Sequence, residues 1–153
     1  MKSLAMMFIL ILAISCNNQN TDNENLIASN PYLIGKWTGE GRFLDRDLDK
    51  EIGIIKIEIE IKEDNTIHGK IGEAKLVNTR IAEAKYGFEI RGKLDSKLKN
   101  GNDLKKNHLI ILLVLPEENR KDVTTSDANF HLKSNYTFDF SMRVGGVILS
   151  KEL

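Results

Sequence analysis

The sequence predicts an all-β fold, an antiparallel up-and-down β-barrel of about eight to nine strands. Three observations predict it. The stretch "IIKIEIEIKEDNTIHGKI" sets Ile55, Ile57, Ile59 and Ile61 against Lys56, Glu58, Glu60 and Lys62. That is period two, with a β-branched residue at every inward position, and a helix would scatter those isoleucines around its circumference. The same alternation recurs along the chain between short turn-forming clusters. Glycines at inward positions 39, 41, 69 and 92 supply the sharp local bending that closing a small barrel requires.

The chain has 153 residues, 41% hydrophobic and 29% charged, with 22 basic and 22 acidic side chains. Length and composition fit one globular domain behind a targeting segment. A net charge of zero leaves no basic footprint for nucleic acid. The first element is the start, "MKSLAMMFILILAISCNN". Lys2 precedes an apolar run from Leu4 to Ile14, well short of the roughly 20 residues of a spanning helix and suited to a secretory signal peptide. Ser15 and then Cys16 follow, and this "AISC" resembles the lipobox of bacterial lipoproteins. Ala13 stands where that pattern usually has Leu. The resemblance implies cleavage before Cys16 and lipid, palmitate included, on that cysteine. Cys16 is the single cysteine, so no disulfide forms within the chain. Acyl chains explain it physically, since each buried methylene contributes about 0.8 kcal/mol and two or three chains anchor firmly.

The organisation is then a signal peptide over 1–15, a lipidated cysteine and flexible tether over 16–32, and the β domain over 33–153. The tether assignment rests on "NNQNTDNEN", which buries too little apolar area to offset its ordering entropy. Positions 17 and 18 are Asn rather than acidic sorting residues, so the expected location is the cell envelope, lipid-anchored, at the outer membrane.

Within the domain, Trp37, Gly39, Gly41 and Phe43 share one face of the first strand. Asp45 to Lys50 reads as a solvated hairpin loop. The isoleucine strand and the strand from Ile67 form a hairpin about Glu63 to Thr66. Parity changes between Ile71 and Ala74, which predicts a β-bulge at Gly72. Tyr86, Phe88, Ile90, Gly92 and Leu94 share a face of the next strand. "HLIILLVLP" is apolar on both faces, and its length, β-branched content and terminal proline favour a strand. "NRKDVTTSDAN" reads as a long polar loop. Tyr136, Phe138, Phe140 and Met142 share a face of a further strand, with Arg143 on its polar side. No helix is required.

At "IGKWTGEG", Gly35-Lys36-Trp37 resembles the Gly-x-Trp signature of lipocalins and the wider calycin group. The closing "GGVILSKEL", a glycine pair before an apolar strand, matches short lipoproteins with the same opening. The resemblance implies a lipocalin-like barrel over 33–153 that binds a small hydrophobic ligand, with Arg143 as candidate to pack over Trp37. The candidate lining is Trp37, Phe43, Tyr86, Phe88, Tyr136, Phe138 and Phe140. The alternative is a filled barrel, with Trp37 as a core plug, acting as a protein-interaction or envelope-accessory module without a ligand.

Other chemistry finds little support. Asp45, Asp47 and Asp49 begin like a calcium loop, but Lys50 and Lys56 stand where its glycine and bidentate glutamate belong. His68, His108 and His131 lack ligand spacing, and Glu40 and Glu58 lie on charged outer faces. No nucleophile elbow, phosphate loop or dinucleotide fingerprint occurs. The expectation is a non-enzymatic, monomeric protein without cofactor or metal, whose partner is a membrane through its anchor.

Overall fold

Inward isoleucines and outward charges decide which way each strand faces. A computed structural model describes residues 26–96, 98, 108–114, 124–133 and 142–152; for 108–114, 133 and 142 only the backbone is described. The chain is mostly β. One antiparallel sheet runs through β1 (Gly35–Phe43), β2 (Ile55–Ile61), β3 (Ile67–Ile71), β4 (Ala74–Ala84), β5 (Gly87–Leu94), β6 (His108–Val114), β7 (Thr125–Lys133) and β8 (Met142–Lys151). Each strand pairs with the next, and β8 returns to pair with β1, so the meander curls into a barrel. The β1–β8 seam is paired at both ends, at Trp37–Lys151 and Thr38–Ser150 and again from Gly41–Val147 to Phe43–Gly145. Between them Gly39 lies so close to the Ile148 carbonyl that a Cβ would collide with it.

The burial pattern follows the sequence alternation. Ile55, Ile57, Ile59 and Ile61 are all buried, and so are Trp37, Phe43, Phe88, Ile90 and Leu94. Three short elements cover the ends of the interior. At the end where β1 begins, residues 26–29 form a helical turn and Pro31–Leu33 a 3₁₀ turn, burying Ile27 and Leu33. At the other end, a helix between β1 and β2, α1 (Arg46–Ile52), buries Ile52, and Leu98 is buried beyond β5.

That helix corrects the expected hairpin loop over Asp45 to Lys50. The Asp45 carboxylate accepts hydrogen bonds from the Asp47 and Leu48 backbone N–H groups, and Gly53 at φ 72° ends the helix. Asp47 and Asp49 complement the positive helix start, and Asp49 also pairs with Arg42 at 3.0 Å. The expected bulge at Gly72 is likewise corrected. Ile71 pairs directly with Ala74, so Gly72-Glu73 is a two-residue hairpin turn, and Gly72 has φ 56°. The register shift lies further on, between Val77 and Arg80, where Asn78 has φ 54°.

The expected long loop over residues 119–129 is a strand from Thr125 onward. Ser126, Ala128, Phe130 and Leu132 alternate inward there, all buried. Register and inward burial override the turn propensity of Ser126, Asp127 and Asn129. Of the expected strand from Tyr136 to Met142, β8 contains only Met142; Tyr136, Phe138 and Phe140 lie outside the described residues.

Three carboxylates, exposed Asp64 and Asp95 and half-buried Glu58, support turns and ladders, and each is held below the ordinary carboxylate range. Asp64 accepts from the Thr66 hydroxyl at 2.6 Å and from the Thr66 N–H at 3.0 Å. Asp95 accepts from the Ser96 hydroxyl and the Lys75 N–H, each at 2.8 Å. Glu58 accepts from the Lys56 ammonium at 2.8 Å. Groups whose folded pKa is lowered add stability above their unfolded pKa and lose it as pH falls through the folded value. The urea midpoint is therefore expected to be flat at neutral pH and to fall below about pH 4. Asp64→Asn should make that fall shallower; an unchanged acid limb would show that Asp64 contributes nothing to it.

Candidate functional site

Of the sequence-predicted aromatic lining, Trp37 and Phe88 lie at one end of the interior and Phe43 at the other. At the end where β1 begins, Trp37 is fully buried and its Nε1–H donates to the Leu33 carbonyl at 2.9 Å. The Lys151 ammonium lies 5.6 Å from the Trp37 ring centroid and donates to the Tyr32 carbonyl at 3.0 Å. The Tyr32 ring meets Phe88 edge-on at 6.4 Å. At the other end Phe43 meets Phe130 edge-on at 5.2 Å.

Three expectations change. Arg143 does not pack over Trp37. It sits opposite Leu132 near the start of β8, while register places Lys151, at the end of that strand, opposite Trp37. Arg143 also has the inward parity of Gly145, Val147 and Leu149, not the polar, outward side expected from the sequence. Tyr86 does not share the face of Phe88: it lies in the β4–β5 turn, 62% exposed, with the Lys85 ammonium 4.9 Å from its ring centroid. Inward glycines serve less as bends than as space for neighbours. A Cβ on Gly41 would stand 2.8 Å from the Phe130 ring, one on Gly145 would collide with that ring, and one on Gly92 would stand 2.7 Å from Leu76. Sequence reasoning missed Phe130, Tyr32 and Lys151. The alternation Ser126-Ala128-Phe130-Leu132 was a usable signal for the first.

Cys16, Tyr136, Phe138 and Phe140 lie outside the described residues, as does the side chain of His108. His68 is exposed on β3 and His131 half-buried on β7. Among the described residues no group of three or more His, Cys, Asp or Glu is placed to hold a metal ion. Glu40 and Glu58 do not form a carboxylate pair, because Lys56 bonds Glu58 and stands opposite Glu40 in the ladder.

Among the described residues, two concave regions of the outer face stand out. One, of about 440 Å³, crosses β2, β3 and β4. Its floor is the Ile59–Gly69–Leu76 row, and its two walls are Glu58, Lys70 and Lys75 on one side and Lys36, Glu60, His68 and Val77 on the other. The second, of about 470 Å³, lies over the β1–β8 seam among Glu40, Arg42, Asp127, Asn129 and Ile148. Ile148 is 64% exposed there. No family model, curated protein or solved structure matches the chain.

Proposed function

We propose that the chain is a lipoprotein of the bacterial cell envelope, anchored by lipid on Cys16. In this reading its lipocalin-like barrel is filled by its own side chains and acts through its outer surface as an interaction or envelope-accessory module. The packing of Phe130 carries the choice of a filled barrel over one holding a small hydrophobic ligand. That ring occupies the space left by Gly41 and Gly145 and is closed from the side by Phe43. Trp37, Ile57, Ile71, Ile90 and Leu132 have essentially no exposure, and Ile27 and Leu33 on one side and Ile52 and Leu98 on the other lie over the ends. The lipocalin likeness rests on the Gly35-Lys36-Trp37 motif behind a 3₁₀ turn, with a cation over the tryptophan supplied by Lys151.

The anchor rests on the order cationic Lys2, apolar run, Ser15 and Cys16. Among the described residues no helix is long and apolar enough to cross a membrane. Cys16→Ser is expected to abolish incorporation of labelled palmitate and to move the protein out of the membrane fraction. Retention of both overturns the anchor. Native mass spectrometry of the protein from its own membranes is expected to give the acylated chain alone. A small molecule retained inside the barrel overturns the filled-barrel reading.

A further inference from the structure

We propose that the outer groove across β2, β3 and β4 binds an anionic amphiphile, a phosphate or carboxylate head on a short apolar body. The proposal rests on the reading that this protein works through its outer surface, and it gives that surface a ligand class.

The argument starts from charge. Lys70 on β3 stands directly opposite Lys75 on β4, and like charges at opposed positions of an antiparallel pair repel. The acids around them make their hydrogen bonds elsewhere and meet the two lysines only through longer-range charge. Glu58, opposite Lys70, receives the Lys56 ammonium at 2.8 Å. Asp95, beyond Lys75, accepts from the Lys75 backbone N–H and the Ser96 hydroxyl, each at 2.8 Å. In the second wall Glu60 lies between Lys36 and His68, its partners on the two neighbouring strands. Lys36 itself bonds Glu152 at 3.0 Å. Lys70 and Lys75 thus form a pair of ammonium groups with no salt-bridge partner among the described residues, on one wall of a groove of about 440 Å³. An anion between them would relieve the repulsion and gain two charge-assisted hydrogen bonds.

The apolar half of the ligand follows from the opposite wall. The row Ile59–Gly69–Leu76 between the two walls faces inward, so the floor of the groove is its backbone. Val77, 39% exposed, stands on the wall across from the lysines. The β3–β4 ladder ends at the Gly69–Leu76 pair; Asn78 beyond it has φ 54°, and the Thr79 hydroxyl ties β4 back to β3 by donating to the Ile67 carbonyl at 2.7 Å. Val77 borders the groove where the regular β3–β4 ladder stops. A head between the two lysines would therefore lay its chain toward Val77.

Calorimetric titration of the full chain in phospholipid nanodiscs, with empty nanodiscs as blank, tests this. The probes are hexyl phosphate, hexanoate, hexanol and inorganic phosphate. Hexyl phosphate or hexanoate is expected to saturate one site, with hexanol and inorganic phosphate at least tenfold weaker. The Lys70→Gln/Lys75→Gln double variant should weaken the charged probe at least tenfold and keep its thermal midpoint, since it removes a repulsion. Lys85→Gln, in the β4–β5 turn, should change nothing. Absence of saturation, equal affinity for inorganic phosphate, or an equal loss in Lys85→Gln overturns the proposal. Phosphate and carboxylate heads are separated by which of the two probes binds tighter. Failure of the filled-barrel reading is distinguishable, because a molecule held inside the barrel would survive the Lys70→Gln/Lys75→Gln change in native mass spectra.

Discussion

Trp37→Ala is expected to cost about 3–5 kcal/mol, the range for deleting a large buried aromatic, and for a domain this size that is a large share of total stability. The measurement is urea unfolding followed by far-ultraviolet circular dichroism, since the only tryptophan is lost. The ring is fully buried, so the substitution leaves a void that the surrounding strands fill only in part. Two further interactions go with it. The Leu33 carbonyl loses its indole donor, and the Lys151 ammonium loses the ring beneath it. Trp37→Phe separates these contributions. It keeps most of the apolar volume but leaves the Leu33 carbonyl unpaired, so about 1–3 kcal/mol is expected. A Trp37→Ala cost below that of Trp37→Phe would show that the tryptophan is not a core plug. Residues 26–33 should loosen in the same variant, because Leu33 and Ile27 pack into that end of the interior. Hydrogen exchange at Ile34, whose N–H donates to the Pro31 carbonyl, reads that loosening directly.

How much of this was legible depends on whether a residue's partner is local. The β2–β3 hairpin was readable because Ile55 to Ile61 alternate without exception and the turn chemistry follows at once. The burial of Trp37 was readable for the same reason. α1 was not, although its signals stood in the sequence: Asp45 as N-cap, Leu48 and Ile52 four residues apart, and Gly53 beyond. Three aspartates in a short segment looked like a loop because a seven-residue helix carries too few positions to set a period. β7 was lost where Ser126, Asp127 and Asn129 favour turns in isolation; only the register with β6 and β8 makes them a strand. The lysine over Trp37 was not accessible at all. It depends on the β1–β8 register, which joins the two ends of the domain and which no local pattern encodes. The groove had the same obscurity, since Lys70 and Lys75 oppose each other only because Gly72-Glu73 is a two-residue turn and not a bulge.

Gly145→Ala is expected to destabilise by about 1–3 kcal/mol, and by more if Phe130 has nowhere to move. Gly145 lies in β8 opposite Phe43, and a Cβ there would collide with the Phe130 ring and stand 2.6 Å from the Arg42 carbonyl. The carbonyl belongs to the β1 backbone and cannot yield cheaply, so the ring must. The ring is held in turn by Phe43 at 5.2 Å and by Gly41, whose own Cβ position is 2.8 Å from it. Gly146→Ala, one residue on, is the internal control. It meets nothing closer than 3.9 Å, and its cost should stay within about 0.5 kcal/mol. Phe130→Leu in the Gly145→Ala background should recover part of the loss, and the double-mutant cycle gives the coupling between the two sites. This pair bears on function as well as on stability. In a hollow barrel the Phe130 ring could swing into the ligand space, and Gly145→Ala would be nearly silent and uncoupled from Phe130. In a filled barrel the ring is hemmed in, the alanine is costly, and the coupling is large. A small cost with no coupling would therefore reopen the interior as a binding site, and a large coupled cost places the protein's work on its outer face.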